Sequence, residues 1–152
     1  MLDMIKVGLF FIFMALALGA RGQSFDRINF YTHLHQNPEL SFQEENTSRL
    51  LAETWREAGF DVTQNVGGFG VVGMLRNGPG PTVMIRMDMD GLPVKEQTGL
   101  PYASEARAIE QTGQAVDVMH AWGHDIHMTV GTETALMLAK SRQNGRGTRM
   151  VI

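Results

Sequence analysis

The stretch from Thr82 to Met89 constrains this chain most. It is apolar almost throughout, it follows the turn-forming run Asn77-Gly78-Pro79-Gly80-Pro81, and it closes on Asp88 and Asp90. Such a run between turn signals reads as a strand covered on both faces, the condition of strands in the central sheet of an α/β protein. A period of two puts Arg86, Asp88 and Asp90 on one side of that strand, at its carboxyl end, where open α/β sheets place their ligands. Carboxylates are costly to bury alone, so an Asp-x-Asp there calls for a metal, a cation or a histidine. Arg86 offers the plainer alternative, an ion pair that neutralises one of them.

The flanking segments fit a layered α/β architecture, with strands alternating with helices. Ser24 is placed to cap a helix in which Ile28, Tyr31, Leu34 and His35 share a face, and Pro38 stops it. Ser41-Phe42-Gln43-Glu44 has the form of a capping box, so a second helix is expected from there to Ala58. Leu50, Leu51, Trp55 and Ala58 should turn inward, and Gly59 should end the helix in a left-handed conformation. Short strands are expected over 60–65 and 70–75, an irregular surface over 94–118, a helix over 125–142 and a further strand from Thr148.

Hydrophobic residues at 43% with 19% charged describe a globular chain, and a net charge of −3 gives no electrostatic footprint for nucleic acid. Residues 1–22 read as a signal peptide: Lys6, an apolar run from Val7 to Leu18, and small residues Ala20 and Gly22 before Gln23. A membrane anchor is the alternative, but the run is shorter than the ~20 residues a spanning helix needs. The expectation is export to the periplasm or beyond, with a mature chain beginning near Gln23. There is no cysteine, hence no disulfide and no thiolate ligand.

A second constellation lies in Met119-His120-Ala121-Trp122-Gly123-His124-Asp125-Ile126-His127-Met128. His120, His124 and His127 fall at helical spacing, but Gly123 and Asp125 argue that the helix starts later. In an extended turn ahead of that helix, residues 122 and 124 point to one side. Asp125 can hold the second nitrogen of His124 or cap the helix, and its position before an apolar-periodic run favours the cap. His33 and His127 read as ordinary packed or surface histidines. His35 stands evenly between that reading and a role in the site.

Together these stretches resemble the amidohydrolase branch of the dizinc aminopeptidase and aminoacylase superfamily, which includes hippurate hydrolases and auxin-conjugate hydrolases. Tyr31, Leu34-His35, Pro38-Glu39-Leu40-Ser41, Glu44 and Thr47 resemble its opening. Glu96 and the run Thr98 to Ser104 continue its Asp-x-Asp signature. The resemblance implies an α/β fold: a partial zinc-aminopeptidase-like catalytic domain with a central mixed sheet flanked by helices. Residues 23–152 would be its truncated N-terminal part, without the lid domain through which a homodimer would form.

The resemblance also implies two divalent metals, zinc or manganese, and hydrolysis of N-acyl amino acids or similar amides to a carboxylate and an amine. Carried over, Asp90 contributes to catalysis and His124 is a metal ligand, with Arg86, Asp88, His120 and Asp125 in support. The chain departs from the family pattern at Trp122, which stands where the family has a cysteine ligand; an indole offers only an N–H and cannot ligate. The family's paired glutamates, base and ligand, and two further ligand histidines belong after the strand at Thr148. The expectation is therefore a fragment of an exported enzyme, inactive alone. The alternative is a non-catalytic relative whose site has degraded at Trp122.

Overall fold

A computed structural model describes residues 25–152; the expected leader over 1–22 and the Ser24 cap lie outside them. Helix α1 (Arg27–Gln36) is capped by Asp26, whose carboxylate accepts from the Asn29 amide at 3.1 Å. Asn37 and Pro38 end it. Leu34 and His35 on its inner face are buried, whereas Ile28 in the first turn is exposed.

Helix α2 (Glu45–Glu57) starts three residues later than the capping box implies. The chain turns at Leu40–Gln43, where the Gln43 amide donates to the Leu40 carbonyl and Phe42 takes a left-handed φ of 64°. A helix cannot run through that turn. Its free amides are capped from outside by Glu39, whose carboxylate accepts from the Asn46 and Thr47 amides at 3.1 and 2.8 Å and from the Thr47 hydroxyl at 2.8 Å. A carboxylate at a helix N-terminus satisfies free donors and opposes the positive end of the dipole. Leu51 and Trp55 are buried as expected, Leu50 and Ala58 pack partly buried against them, and Gly59 has a φ of 90°.

Strands β1 (Asp61–Val66) and β2 (Gly70–Asn77) form an antiparallel hairpin about Gly67 and Gly68. Strand β3 (Thr82–Ile85) follows, then a short antiparallel hairpin of β4 (Arg107–Ile109) and β5 (Ala115–Asp117) within the segment expected to be irregular. Helix α3 (His124–Lys140), a 3₁₀ turn (Arg142–Asn144) and β6 (Gly147–Val151) complete the described order. The main sheet runs β1-β2-β6-β3, with β6 antiparallel to β2 and parallel to β3. It is a mixed sheet with helices packed on it, as expected.

Two expectations about β3 need correction. It ends at Ile85 rather than Met89, and it is an edge strand whose Val83 and Met84 are exposed rather than covered on both faces. Among the described residues only β6 lies beside it, so apolar character alone did not decide its burial. The backbone stays extended past Ile85, with the Met87 amide donating to the Ile152 carbonyl at 2.8 Å. Met87 then turns into the core formed by Leu34, Leu51, Trp55, Phe60, Leu75, Met128 and Val151. Gly73 lets α2 sit close on the sheet: a Cβ there would press on Trp55 and Val151. No described helix is long and apolar enough to cross a membrane.

Candidate active site

The two motifs meet because the chain between them folds back on itself. Leu92 and Met119 form an antiparallel bridge, each amide donating to the other's carbonyl, at 2.8 and 3.0 Å. On its other side Gly91 pairs with Leu40 and donates its amide to the Glu39 carbonyl at 2.6 Å. A Cβ at Gly91 would sit 2.9 Å from both Pro38 and Val118, so only glycine admits this junction. Helix α3 then runs alongside residues 86–90, drawn close at Gly131, where a Cβ would overlap the Met87 side chain.

This packing assembles Asp90, His120 and His124. The Asp90 carbonyl lies 3.2 Å from His120 Nδ1 and 2.9 Å from His124 Nδ1, and its carboxylate lies 3.1 Å from His124 Nδ1. A carbonyl only accepts, so both Nδ1 atoms carry protons, and in a neutral ring so held Nε2 is the nitrogen with the lone pair. His120 is buried, its Nε2 has no hydrogen-bond partner among the described residues, and burial holds its pKa below the ordinary histidine value. His124 is partly exposed. Its fixed Nδ1–H and free Nε2 reproduce the outer-shell arrangement that orients metal-ligating histidines.

Trp122 swings outward. The residue is 75% exposed, and its indole stands edge-on to the His124 ring, with centroids 6.2 Å apart. Gly123, at a φ of 76°, is the N-cap of α3, so the helix begins at His124 itself. Glu44, read from the sequence as part of a capping box, is buried instead. Burial first, then the neighbouring charges of Asp90 and Glu39, raise its pKa against the backbone amides of Glu44 and Phe42.

The remaining site candidates lie elsewhere. Arg86 and Asp88 pair with each other at 2.6 Å on the surface, the plain reading of that motif, and no hydrogen bond joins them to Asp90 or His124. The Asp88 amide donates to His127 Nδ1 at 3.4 Å. Asp125 lies inside the first turn of α3, where one oxygen accepts from the Ile126 amide at 2.8 Å, and it does not hold His124. Its carboxylate is buried and meets His35 Nδ1 at 2.6 Å, because the first turn of α3 points this side chain at α1. His35 Nε2 meets Glu96 at 3.0 Å, and Glu96 also accepts from the Thr98 hydroxyl and the Ser104 amide.

Sequence reasoning missed this network. The signals for His35 were its place beside Leu34 on the inner face of α1 and in the stretch that resembles the family's opening. Nothing in the polar run around Glu96 marked a buried carboxylate.

Burial alone would lower the pKa of His35, but hydrogen bonds and charge from Asp125 and Glu96 outweigh it and the net shift is upward. Burial would raise Glu96, but bonds from Thr98, Ser104 and His35 bring it below the usual carboxylate value. A raised histidine stabilises the fold below its unfolded pKa and loses that contribution as pH rises through the folded value. A lowered glutamate stabilises above its unfolded pKa and loses its contribution as pH falls through the folded one. The network therefore contributes most between the ordinary values of 4.5 and 6.5. In urea unfolding from about pH 4 to about pH 9, the stability advantage of the parent over His35→Gln should shrink on the alkaline side. An advantage that grows there would rule out a charged His35.

Residues 84–152, which contain Asp90 and the whole histidine stretch, match the Peptidase family M20/M25/M40. The chain is 42% identical over 111 residues to thermostable carboxypeptidase 2 of Saccharolobus solfataricus, covering 72% of this chain and 26% of that protein. It is 41% identical over 113 residues to the hippurate hydrolase of Campylobacter jejuni, covering 74% of this chain and 27% of that protein. The chain belongs to the M20/M25/M40 peptidase family.

The crystal structure of Bacillus subtilis YXEP, described as a dinuclear metal binding peptidase from the M20 family, superimposes with a TM-score of 0.71 at 34% identity. That match covers 82% of this chain and 33% of YXEP. The M20 chain described here thus spans about a quarter to a third of the length of these relatives.

Proposed function

We propose that this chain supplies one wall of the active site of a metal-dependent amide hydrolase acting on N-acyl amino acids or similar amides. The observation that carries the reading is His124, its Nδ1–H held by Asp90 and its Nε2 free. Imidazole and carboxylate suit zinc or manganese, so the donor chemistry fits. The number of donors is short: among the described residues no three such groups come together around one point. His124 Nε2 would be a ligand, Asp90 would orient it, and neutral His120 would line the floor beneath. A bound divalent ion would polarise the amide carbonyl and lower the pKa of an attacking water.

Hippurate is itself an N-acyl amino acid, and the relative named for it supports the substrate class. The test is release of free amino acid from hippurate and N-acetyl amino acids, with zinc or manganese, by the product of the reading frame that encodes this chain. Turnover abolished by a chelator is expected. No turnover with either metal would instead support a binding-only relative, the second reading, which rests on Trp122. Export is part of the same proposal; N-terminal sequencing of exported protein should begin near Gln23, and an intact Met1 in a membrane fraction would count for an anchor.

A further inference from the structure

His35 lies outside the proposed metal site, yet it joins three segments distant in sequence: α1, the loop carrying Glu96 and the first turn of α3. The His35 side chain is only 7% exposed, and the side chains it touches are 0% exposed for Glu96 and 2% for Asp125. Both ring nitrogens face carboxylate oxygens, which only accept, so both donate. The first turn of α3 has no capping side chain, since Gly123 holds the N-cap position. What anchors that turn is Asp125, one oxygen on His35 and the other accepting from the Ile126 amide at 2.8 Å. Asp125 is the peptide neighbour of His124. Whatever fixes Asp125 fixes the direction in which His124 leaves the helix.

We propose that His35 is a positioning residue for His124: through Asp125 it substitutes for the missing helix cap and keeps His124 Nδ1–H on the Asp90 carbonyl. The consequence for metal affinity rests on the functional reading above; the positioning itself does not. Loss of an outer-shell partner typically lowers metal affinity ~10–100-fold. Glu96 belongs to the other arm of the network and anchors the loop through Ser104, so its loss should affect stability without moving His124.

The test is nitrogen-15 NMR of the histidine rings in the full chain, followed by titration with zinc alone. In the parent, His124 is expected as the Nδ1–H tautomer. His35→Gln should leave it a mixture of tautomers and weaken zinc binding at least about tenfold. Glu96→Gln should keep the parental His124 signal while lowering the unfolding midpoint. A His35→Gln protein whose His124 signal matches the parent would overturn the proposal, because a purely structural role for His35 predicts that result. Should His35→Gln not fold, Asp125→Asn weakens the same arm and is read the same way: an unchanged His124 tautomer overturns the proposal and a mixed one supports it. If the parent binds no zinc, the metal reading fails, and the tautomer comparison still decides the positioning role.

Discussion

Trp122→Cys should tighten zinc binding by at least about tenfold, the lower bound set by what even outer-shell partners are worth. The indole contributes no electron pair to a metal, whereas a cysteine sulfur beside an imidazole is a preferred zinc donor and is deprotonated by the ion. The geometry makes this test clean. Trp122 is 75% exposed and only touches the His124 ring edge-on, so its removal opens no cavity in the core. Surface changes of this kind stay within about 0.5 kcal/mol of parental stability. Affinity should therefore change while the unfolding midpoint does not.

Trp122→Ser separates the two effects of the substitution, since it removes the bulky ring without adding a thiolate. Competition titration against a zinc chelator should rank Cys well above Ser, and Ser level with the parent. Equal affinities for all three would mean that position 122 is not a ligand position. Equal gains for Cys and Ser would mean that the indole acts by bulk.

Asp125→Ala should destabilise the fold by about 3–5 kcal/mol, the cost of stripping one partner from a buried charged pair. Asp88→Ala should cost no more than about 1 kcal/mol, as exposed ion pairs do. The two pairs have the same length: Asp125 to His35 and Asp88 to Arg86 both measure 2.6 Å. Only burial distinguishes them. Asp125 and His35 side chains are almost wholly withdrawn from water, while those of Arg86 and Asp88 stand in it. Removing Asp125 also leaves the first turn of α3 without its anchor. Urea unfolding between the ordinary pKa values of 4.5 and 6.5, where His35 and Glu96 both contribute, is the appropriate measurement. Comparable losses for the two variants would show that the buried network carries no special weight.

Features that depend on neighbours in sequence were legible before the structure. The inner face of α2, the left-handed Gly59 and the position of α3 all follow from local periodicity or local turn chemistry. The errors share one cause, a group outside the local pattern that displaced a local preference. Ser41 lost the cap of α2 to Glu39, because Phe42 turned the backbone and brought a charged acceptor to the free amides. Asp125 gives one oxygen to the first turn of α3, but its other oxygen meets a histidine 90 residues earlier in the chain instead of His124. β3 reads as a covered strand from its composition, but its exposure depends on which strands lie beside it, and only β6 does among the described residues.

The sequence by itself determined which side chains could do chemistry here: Asp90, His120 and His124, with an indole at position 122. Those identities are covalent facts, and motif spacing keeps them within reach of one turn or one helix end. It also determined the α/β class, since the alternation of helical and strand periods is a one-dimensional property. Tertiary structure alone decided their arrangement. One carbonyl, that of Asp90, orients two imidazoles because Gly91 admits a junction that no larger residue would, and because the Leu92–Met119 bridge closes a long loop. His35, Glu96 and Asp125 became one buried ionic network for the same reason. Hydrogen bonds between charged groups gain their strength from exclusion of water, and that exclusion exists only once the segments carrying them have packed together.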